Sequence, residues 1–140
     1  MEVHGVTPIL NVSDVEASLE WFGKLGWRTR WTWKDGFNDD EPAGFAAVSS
    51  HHAEIFLCRG GQGSRGERRP QFPGDDDTDG VWMTWFLETP ADVDAAHALA
   101  LEHGFDVTWP PTDEPWGIRE FDLRHPDGHT FRIGSGLPGN

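Results

Sequence analysis

Tryptophan side chains are the clearest candidates in this sequence for contacting a ligand. Eight Trp and nine Phe occur among 140 residues, without a Tyr, and a domain of this size rarely needs so many indoles for its core. Residues 27–33 alternate with a period of two, so an extended chain places Trp27, Trp31 and Trp33 on one face. Trp116 stands between a proline and a glycine, in a loop where a large apolar ring needs a cover. Because indoles stack on planar groups and attract cations, these residues predict a flat, cationic small-molecule ligand.

Histidine pairs are the candidates for a metal site, and the spacing favours neither pair. His51 and His52 are adjacent, so in an extended segment they point to opposite faces and do not converge on one ion. His125 and His129 flank a predicted turn and can approach each other, but two exposed turn histidines are more often solvated than metal-bound. We therefore expect neither pair to bind a metal.

Residues for nucleophilic or acid–base catalysis are also weakly indicated. The chain has no Gly-x-Ser-x-Gly elbow, and no Gly-rich phosphate loop leads into a helix with a Lys. Cys58 ends the apolar run 55–58 without a neighbouring His, so we expect a buried small side chain and not a reactive thiol. Glu120 and Asp122 share a face of a predicted strand. They are either general acid–base groups or a solvated edge, and the solvated edge is favoured.

Net charge and cysteine content limit the classes of partner and compartment. With 24 Asp and Glu against 11 Lys and Arg, the formal net charge is -13, which disfavours nucleic acids and anionic membranes and favours a cationic partner. The single cysteine cannot form an internal disulfide, and the first thirty residues show no signal-peptide pattern, so we expect a cytoplasmic protein. No apolar run approaches the length that crosses a bilayer.

The predicted elements follow the order strand–helix–strand–strand–strand twice. The first copy has a strand at 7–12, a helix that Asp14 caps, and strands at 27–33, 45–49 and 53–58. The second copy has a strand at 81–87, a helix that Thr89 and Pro90 begin, and strands at 105–109, 118–124 and 129–133. The predicted class is α+β, as a single domain 1–140 with module 1 at about 5–58, a connecting loop at about 59–80 and module 2 at about 81–135.

The C-terminal hairpin carries a family resemblance. The residues concerned are Glu114-Pro115-Trp116-Gly117, Arg119-Glu120-Phe121, Leu123-Arg124 and Pro126-Asp127-Gly128. Through these residues the chain closely resembles the bleomycin-resistance branch of the glyoxalase/bleomycin-resistance family, also called the vicinal oxygen chelate family. The resemblance implies two βαβββ modules in an open, curved mixed sheet, whose concave side holds the site and is often completed by a second chain. It leaves the activity open, because isomerases, dioxygenases, thiol transferases and non-catalytic drug-binding proteins share this scaffold.

Most metal-ligand positions that the resemblance implies are replaced in this sequence. Catalytic members of the family use His, Gln or Glu from the first and last strands of each module. Here the matching positions hold Thr7 and Arg132, and residues 81–84 contain no His, so only Glu54 remains as a ligand. Because a usable site needs three or four ligands, we expect no divalent metal and no other cofactor.

The resemblance also implies the residues of a ligand site. Trp116 matches the tryptophan that binding members place against the flat part of a drug, and Trp31 and Phe37 fall near their other stacking positions. The full predicted set of ligand-binding residues is Trp116, Trp31, Phe37, Trp33, Trp82, Trp85 and Glu54. Arg30 departs from the pattern, since an acidic residue is expected there. Trp27 fits a place in the core of the sheet at least as well as one in the site.

These observations predict a non-catalytic binding protein of the bleomycin-resistance type. It sequesters a planar, cationic ligand, such as a glycopeptide antibiotic, in an acidic, Trp-lined groove at a homodimer interface. Two alternatives stay open. One is a metal-dependent lyase, isomerase or extradiol dioxygenase on the same scaffold, and the other is a sensor or carrier for an unrelated ligand.

Overall fold

Two compact units, Met1–Arg65 and Gly66–Asn140, make up the chain in its computed structural model. The structure describes residues 1–34, 41–60, 63–66, 71–73 and 80–139. Each unit contains the order strand–helix–strand–strand–strand, which confirms the α+β class with two βαβββ modules. The boundary between the units falls inside the predicted connecting loop 59–80, part of which lies outside the described residues.

Unit 1 is a four-stranded mixed sheet with one helix. Its elements are β1 (Ile9–Val12), α1 (Val15–Lys24), β2 (Arg28–Lys34), β3 (Ala43–Ser50) and β4 (Ala53–Arg59). The strand order is β1-β4-β3-β2. Strand β1 runs parallel to β4, whereas the other neighbouring strands are antiparallel.

Helix α1 covers one face of the unit 1 sheet. The Asp14 side chain caps the helix by accepting a hydrogen bond from Ala17 N at 3.0 Å. Its apolar stripe buries Val15, Trp21 and Phe22, and full burial of a ring such as that of Phe22 stabilises the fold by about 1.5–3 kcal/mol. The strand residues buried with this stripe are Leu10, Val12, Ala46, Val48, Ile55 and Leu57. Strand residues that alternate with them lie on the other side, which we call the open face of unit 1.

Strand β2 contains a bulge. Thr29 pairs with Val48 and Trp31 pairs with Ala47, so Arg30 is an extra residue between two consecutive pairs. An inserted residue shifts the alternation of side chains by one position. Residues before Arg30 and residues after it therefore do not follow one continuous pattern of faces.

The bulge separates the tryptophans that flank it. Trp27 is buried, with 8% exposure, and packs on Phe22 of α1 at 5.5 Å between ring centroids. Trp31 and Trp33 follow the bulge and share the open face with their cross-strand partners. The predicted single row of three indoles is therefore wrong, because period-two alternation assumes an uninterrupted strand.

Unit 2 repeats the arrangement. Its elements are β5 (Trp82–Phe86), α2 (Pro90–Glu102), β6 (Asp106–Asp113), β7 (Ile118–Arg124) and β8 (Thr130–Gly136), with strand order β5-β8-β7-β6. The predicted helix start is confirmed, since Asp92 N donates to Thr89 Oγ1 at 3.2 Å and Thr89 N donates to Asp92 Oδ2 at 3.1 Å. Helix α2 packs on β6, β7 and β8. Neither α1 nor α2 has the length and apolar character needed to span a bilayer, and no other described helix does.

His125 and His129, which flank the β7–β8 turn, are buried with 1% and 0% exposure. The expectation of two solvated histidines is therefore wrong. Chain segments distant in sequence cover the turn, because Gly66 N donates to Asp127 O at 2.9 Å and Val81 N donates to His129 Nδ1 at 3.0 Å. Asp127 N donates to His125 Nδ1 at 3.0 Å. Both imidazoles thus accept backbone N–H groups and serve the packing of unit 2.

Candidate functional site

Three aromatic rings form a cluster on the open face of unit 1. The ring centroid of Trp31 lies 5.3 Å from that of Phe45 and 5.4 Å from that of Phe56, and the two Phe rings are 5.4 Å apart. We call Trp31, Phe45 and Phe56 the aromatic cluster. Because Trp31 keeps 38% of its surface exposed, part of the indole is accessible to a planar ligand.

Strand register explains how the aromatic cluster forms. Ala47 on β3 pairs with Trp31 on one side and with Phe56 on the other, and its small side chain leaves room for the two rings to meet above it. Trp33 pairs with Phe45 and is 64% exposed. The structure therefore brings two of the predicted ligand residues, Trp31 and Trp33, to one surface.

A polar recess of about 430 Å³ lies on unit 1 beside the aromatic cluster. Its polar lining residues are Thr7, Arg28, Arg30, Ser49, His51, His52 and Glu54. Ser49 lies two residues from Ala47 on β3, and Glu54 lies two residues from Phe56 on β4. A two-residue step along a strand is about 7 Å, so a ligand slightly longer than one aromatic ring can contact both the cluster and the recess.

Two arginines and one carboxylate set the charge of the polar recess. Arg30 forms an ion pair with Glu54, and Thr7 Oγ1 donates to Glu54 Oε1 at 3.4 Å. Among the described residues, no acidic group pairs with Arg28. The described lining therefore carries more cationic than acidic side chains, which differs from the acidic groove that the net charge led us to expect.

His51 and His52 reach the polar recess from the turn between β3 and β4. Their ring centroids are 3.9 Å apart with an interplanar angle of 84°. Opposite faces are expected only in an extended segment, whereas these two residues occupy a two-residue turn. Even so, the described part of the chain contains no group of three or more His, Cys, Asp or Glu arranged to hold a metal ion.

Unit 2 also contains an arginine–glutamate ion pair. Arg132 on β8 pairs with Glu120 on β7, which is 4% exposed, so Glu120 is not the solvated group that its spacing favoured. The hydrogen bond to this carboxylate raises the pKa of Arg132, and the guanidinium keeps its charge. Trp82, 42% exposed, alternates with Thr84 on β5, and Thr84 pairs in register with Arg132.

The remaining predicted ligand residues lie in different surroundings. Trp85 stacks on the buried Phe131, with centroids 4.4 Å apart and an interplanar angle of 21°. Trp85 therefore contributes to the packing of unit 2, and its place in a ligand site stays a prediction. Trp116 is 64% exposed in the loop between β6 and β7. Phe37 lies outside the described residues.

Comparison with known proteins identifies the family. Residues 4–133 match the sequence profile of the Glyoxalase/Bleomycin resistance protein/Dioxygenase superfamily. The chain belongs to this superfamily. No match is found among curated proteins.

Several solved structures share the fold over nearly the whole length of this chain. TioX from Micromonospora sp. ML1 is 18% identical, with a TM-score of 0.72 over 96% of this chain and 100% of TioX. The bleomycin resistance determinant encoded on transposon Tn5 is 15% identical, with a TM-score of 0.63 over 96% and 98% of the two chains. A bleomycin-binding protein complexed with bleomycin is 15% identical, with a TM-score of 0.62 over 96% and 99%. At these identities the similarity establishes the fold alone.

The metal that catalytic superfamily members use does not fit the residues of either unit. In unit 1 the matching positions hold Thr7 and Glu54, and Glu54 already pairs with Arg30. In unit 2 the register partners Thr84 and Arg132 offer a hydroxyl group and a permanent cation, which repels a divalent ion. Neither set supplies the three or four donors that such an ion needs.

Sequence reasoning missed three residues of the candidate site. Phe45 and Phe56 are half-buried between buried neighbours on β3 and β4, and the alternation of these strands was a signal that could have placed both rings on the open face. Arg28 shares a face with Trp31 because of the β2 bulge, whereas uninterrupted alternation puts the two residues on opposite faces.

Proposed function

We propose that this protein captures a planar, aromatic small molecule without chemical turnover, and that bleomycin-type glycopeptide antibiotics are the first candidates. The observation that carries the proposal is the aromatic cluster, whose three ring centroids lie within 5.4 Å of one another while Trp31 stays 38% exposed. Stacking of a planar group on such a ring contributes roughly 0.5–1.5 kcal/mol beyond the area buried. Stoichiometric capture in the cytoplasm then lowers the free concentration of the ligand.

The state of the carboxylates and of the thiol supports binding over catalysis. Glu54 and Glu120 are each paired with an arginine, so neither can serve a metal or a substrate proton without breaking its ion pair. The Cys58 thiol donates to Gly60 O at 3.4 Å. Within the described ranges, no third ligand joins any His, Cys, Asp or Glu pair. A protein with these groups is suited to hold a ligand and not to transform it.

The exposed apolar surface of unit 1 supports a groove that a second chain completes. Ile9, Trp31 and Trp33 are 41%, 38% and 64% exposed on the open face, and Ile9 pairs in register with Phe56. Contiguous exposed apolar surface marks binding sites or interfaces, and two-fold pairing is the commonest assembly of small soluble chains. The formal net charge of -13 favours a ligand whose overall charge is positive.

Titration with metal-free bleomycin, followed by indole fluorescence, tests the proposal. The parent protein is expected to show saturable quenching. Trp31→Ala is expected to weaken affinity by roughly one to two orders of magnitude, because it removes stacking and part of the buried area, at about 25 cal/mol per Å². Leu101→Ala is the matched control, since it removes a side chain that is 56% exposed on α2, and its affinity is expected to equal that of the parent.

Two results contradict the proposal. The first is an unchanged affinity of Trp31→Ala for a ligand that the parent binds. The second is elemental analysis that finds one equivalent of Zn, Ni, Fe or Mn per chain, lost on Glu54→Gln. The second result favours a metal-dependent lyase, isomerase or dioxygenase on this scaffold.

A further inference from the structure

We propose that the polar recess binds a carboxylate group of the same planar ligand, and that Arg28 is the residue that recognises it. This inference rests on the proposed function, because it defines the ligand class more narrowly. The ligand class is a flat aromatic molecule with a carboxylate next to its ring, so within the proposed function this inference favours aromatic acids over bleomycin-type compounds.

Two guanidinium groups line one recess, and the β2 bulge puts Arg28 on the same face as Trp31. Arg28 and Arg30 both line the recess, while Trp31, which follows Arg30 in the strand, belongs to the aromatic cluster. Arg30 is held by Glu54, whereas Arg28 has no acidic partner among the described residues. The planar fork of N–H donors on a guanidinium matches the two oxygens of a carboxylate. Arg28 is therefore available to bind an anion, and Arg30 adds positive charge beside it.

The charge of the recess selects a monoanion. Arg28 and Arg30 supply two positive charges and Glu54 supplies one negative charge, so these three groups sum to one positive charge. A carboxylate neutralises that sum, whereas a phosphate dianion leaves an excess negative charge on a chain whose net charge is already -13. The structure thus favours a carboxylate over a phosphate.

The turn at the recess adds further donors in a constrained position. His51 adopts a φ of 50°, the positive value that the first residue of a two-residue hairpin turn needs. Its ring packs on that of His52 at 3.9 Å between centroids, and both rings line the recess. The volume of about 430 Å³ leaves room for a carboxylate together with bridging water.

The distance between the recess and the aromatic cluster sets the length of the ligand. Ser49 and Glu54 at the recess lie two residues from Ala47 and Phe56 at the cluster, which is about 7 Å along a strand. A two-ring aromatic carboxylate spans this distance, with a ring on Trp31 and its carboxylate at Arg28. The probe 2-naphthoate has these dimensions, and 2-naphthamide has the same shape without the charge.

Binding of 2-naphthoate and 2-naphthamide to the full chain, measured by NMR chemical-shift titration up to millimolar concentration, tests the inference. The acid is expected to bind tighter than the amide by on the order of tenfold or more, because hydrogen bonds to a charged group are the stronger ones. Arg28→Ala is expected to reduce the affinity for the acid to that for the amide. Lys24→Ala removes one cation from α1, away from the recess, and is expected to leave both affinities unchanged.

A second variant keeps the test decisive if Arg28→Ala melts below the parent. Arg28→Lys retains the charge and loses the planar fork, and it is expected to bind the acid with intermediate affinity. Any one of four results would overturn the inference. They are equal binding of acid and amide, parental preference for the acid in Arg28→Lys or Arg28→Ala, tighter binding of 2-naphthyl phosphate, and no binding of either probe. If Trp31→Ala weakens both probes equally while Arg28 variants change nothing, the carboxylate site is wrong and the proposed function still stands.

Discussion

At the scale of single residues, exposure separates the tryptophans by role. Trp27, at 8% exposure, is a core residue, and Trp85 stacks on a buried ring. Trp31, Trp33 and Trp116 expose 38%, 64% and 64% of their surfaces, far more than core packing leaves. Loss of one of the three exposed rings is therefore expected to change binding. Loss of the Trp27 or Trp85 ring is expected to change folding stability.

Trp116→Ala is expected to fold normally and to bind ligand more weakly. Truncation of a ring that is 64% exposed removes little buried area, so the free energy of unfolding should change by about 0.5 kcal/mol or less. If Trp116 stacks on the ligand, affinity for bleomycin should fall by roughly one to two orders of magnitude. A melting curve without ligand and a binding isotherm measure the two effects. Trp85→Ala is the contrast, with a large fall in melting temperature, and an unaltered isotherm for Trp116→Ala would remove this residue from the site.

The free energy of unfolding is expected to fall as pH decreases from about 6.5 towards about 4. Burial, and then the neighbouring His129, lower the pKa of His125 to about 4 from its ordinary value of 6.5. The unfolded chain therefore binds a proton at His125 before the folded chain does. Neutral, buried His125 therefore contributes about 3 kcal/mol to the free energy of unfolding. This contribution is fully present above pH 6.5 and is lost progressively down to pH 4.

Urea denaturation between pH 4 and pH 7 measures this contribution. His125→Asn keeps an acceptor for the Asp127 N–H, whose hydrogen bond to His125 Nδ1 is 3.0 Å, but does not titrate. The variant is expected to show a shallower pH dependence than the parent across this range. Parallel pH profiles for the two proteins would exclude His125 as the group responsible.

At the scale of elements, strand β2 determines the candidate site. Its bulge at Arg30 turns Trp31 and Trp33 to the open face and leaves Trp27 against α1. The same irregularity puts Arg28, which lines the polar recess, on the face of Trp31. The two kinds of ligand contact that we propose, stacking on Trp31 and charge recognition by Arg28, thus share a face because of one inserted residue.

Trp27→Ala and Trp31→Ala are expected to have opposite effects. Trp27 is 8% exposed and contacts Phe22, so its truncation should cost about 3–5 kcal/mol of folding stability, as other large-to-small core changes do. Trp31→Ala should lower stability much less and reduce binding instead. Guanidinium denaturation and bleomycin titration of both variants test whether the bulge places Trp27 and Trp31 on opposite faces. Equal losses of stability in the two variants would contradict this placement.

At the scale of the whole molecule, the chain uses one module order twice, and each unit pairs an arginine with a glutamate on its sheet. Arg30 pairs with Glu54 in unit 1 and Arg132 pairs with Glu120 in unit 2. Each unit therefore places a guanidinium beside a carboxylate that would otherwise be free to hold a cation. In both units an arginine thus takes the place that a metal ion would need beside the carboxylate. This is a further reason to expect ligand capture without a metal, although the superfamily includes metal enzymes.

A homodimer is expected, with a mass of about twice 15.7 kDa in sedimentation equilibrium. The exposed Ile9, Trp31 and Trp33 give the open face of unit 1 an apolar surface that a second chain can cover. Trp33→Glu places a carboxylate on this face and is expected to weaken pairing, whereas Leu101→Glu on α2 is not. A parent protein that sediments as a monomer at micromolar concentration would argue against a shared groove.

The sequence by itself determined the elements and the fold class. Asp14 and Thr89 cap their helices as predicted, because capping chemistry is local and legible in a few residues. The strand Ile118–Arg124 has the predicted bounds, and it pairs with β8 in an unbroken register. Two copies of one element order then follow from the chain order alone, and so does the α+β class.

Only the tertiary structure decided which side chains share a surface. The bulge at Arg30 depends on how β2 pairs with β3, so a period-two pattern could not separate Trp27 from Trp31. The burial of His125 and His129 depends on Gly66 and Val81, which are distant in sequence from the turn. The physical reason is the same in both cases: cross-strand register and long-range hydrogen bonds set the face and the exposure of a residue, and neither is written in its local neighbours.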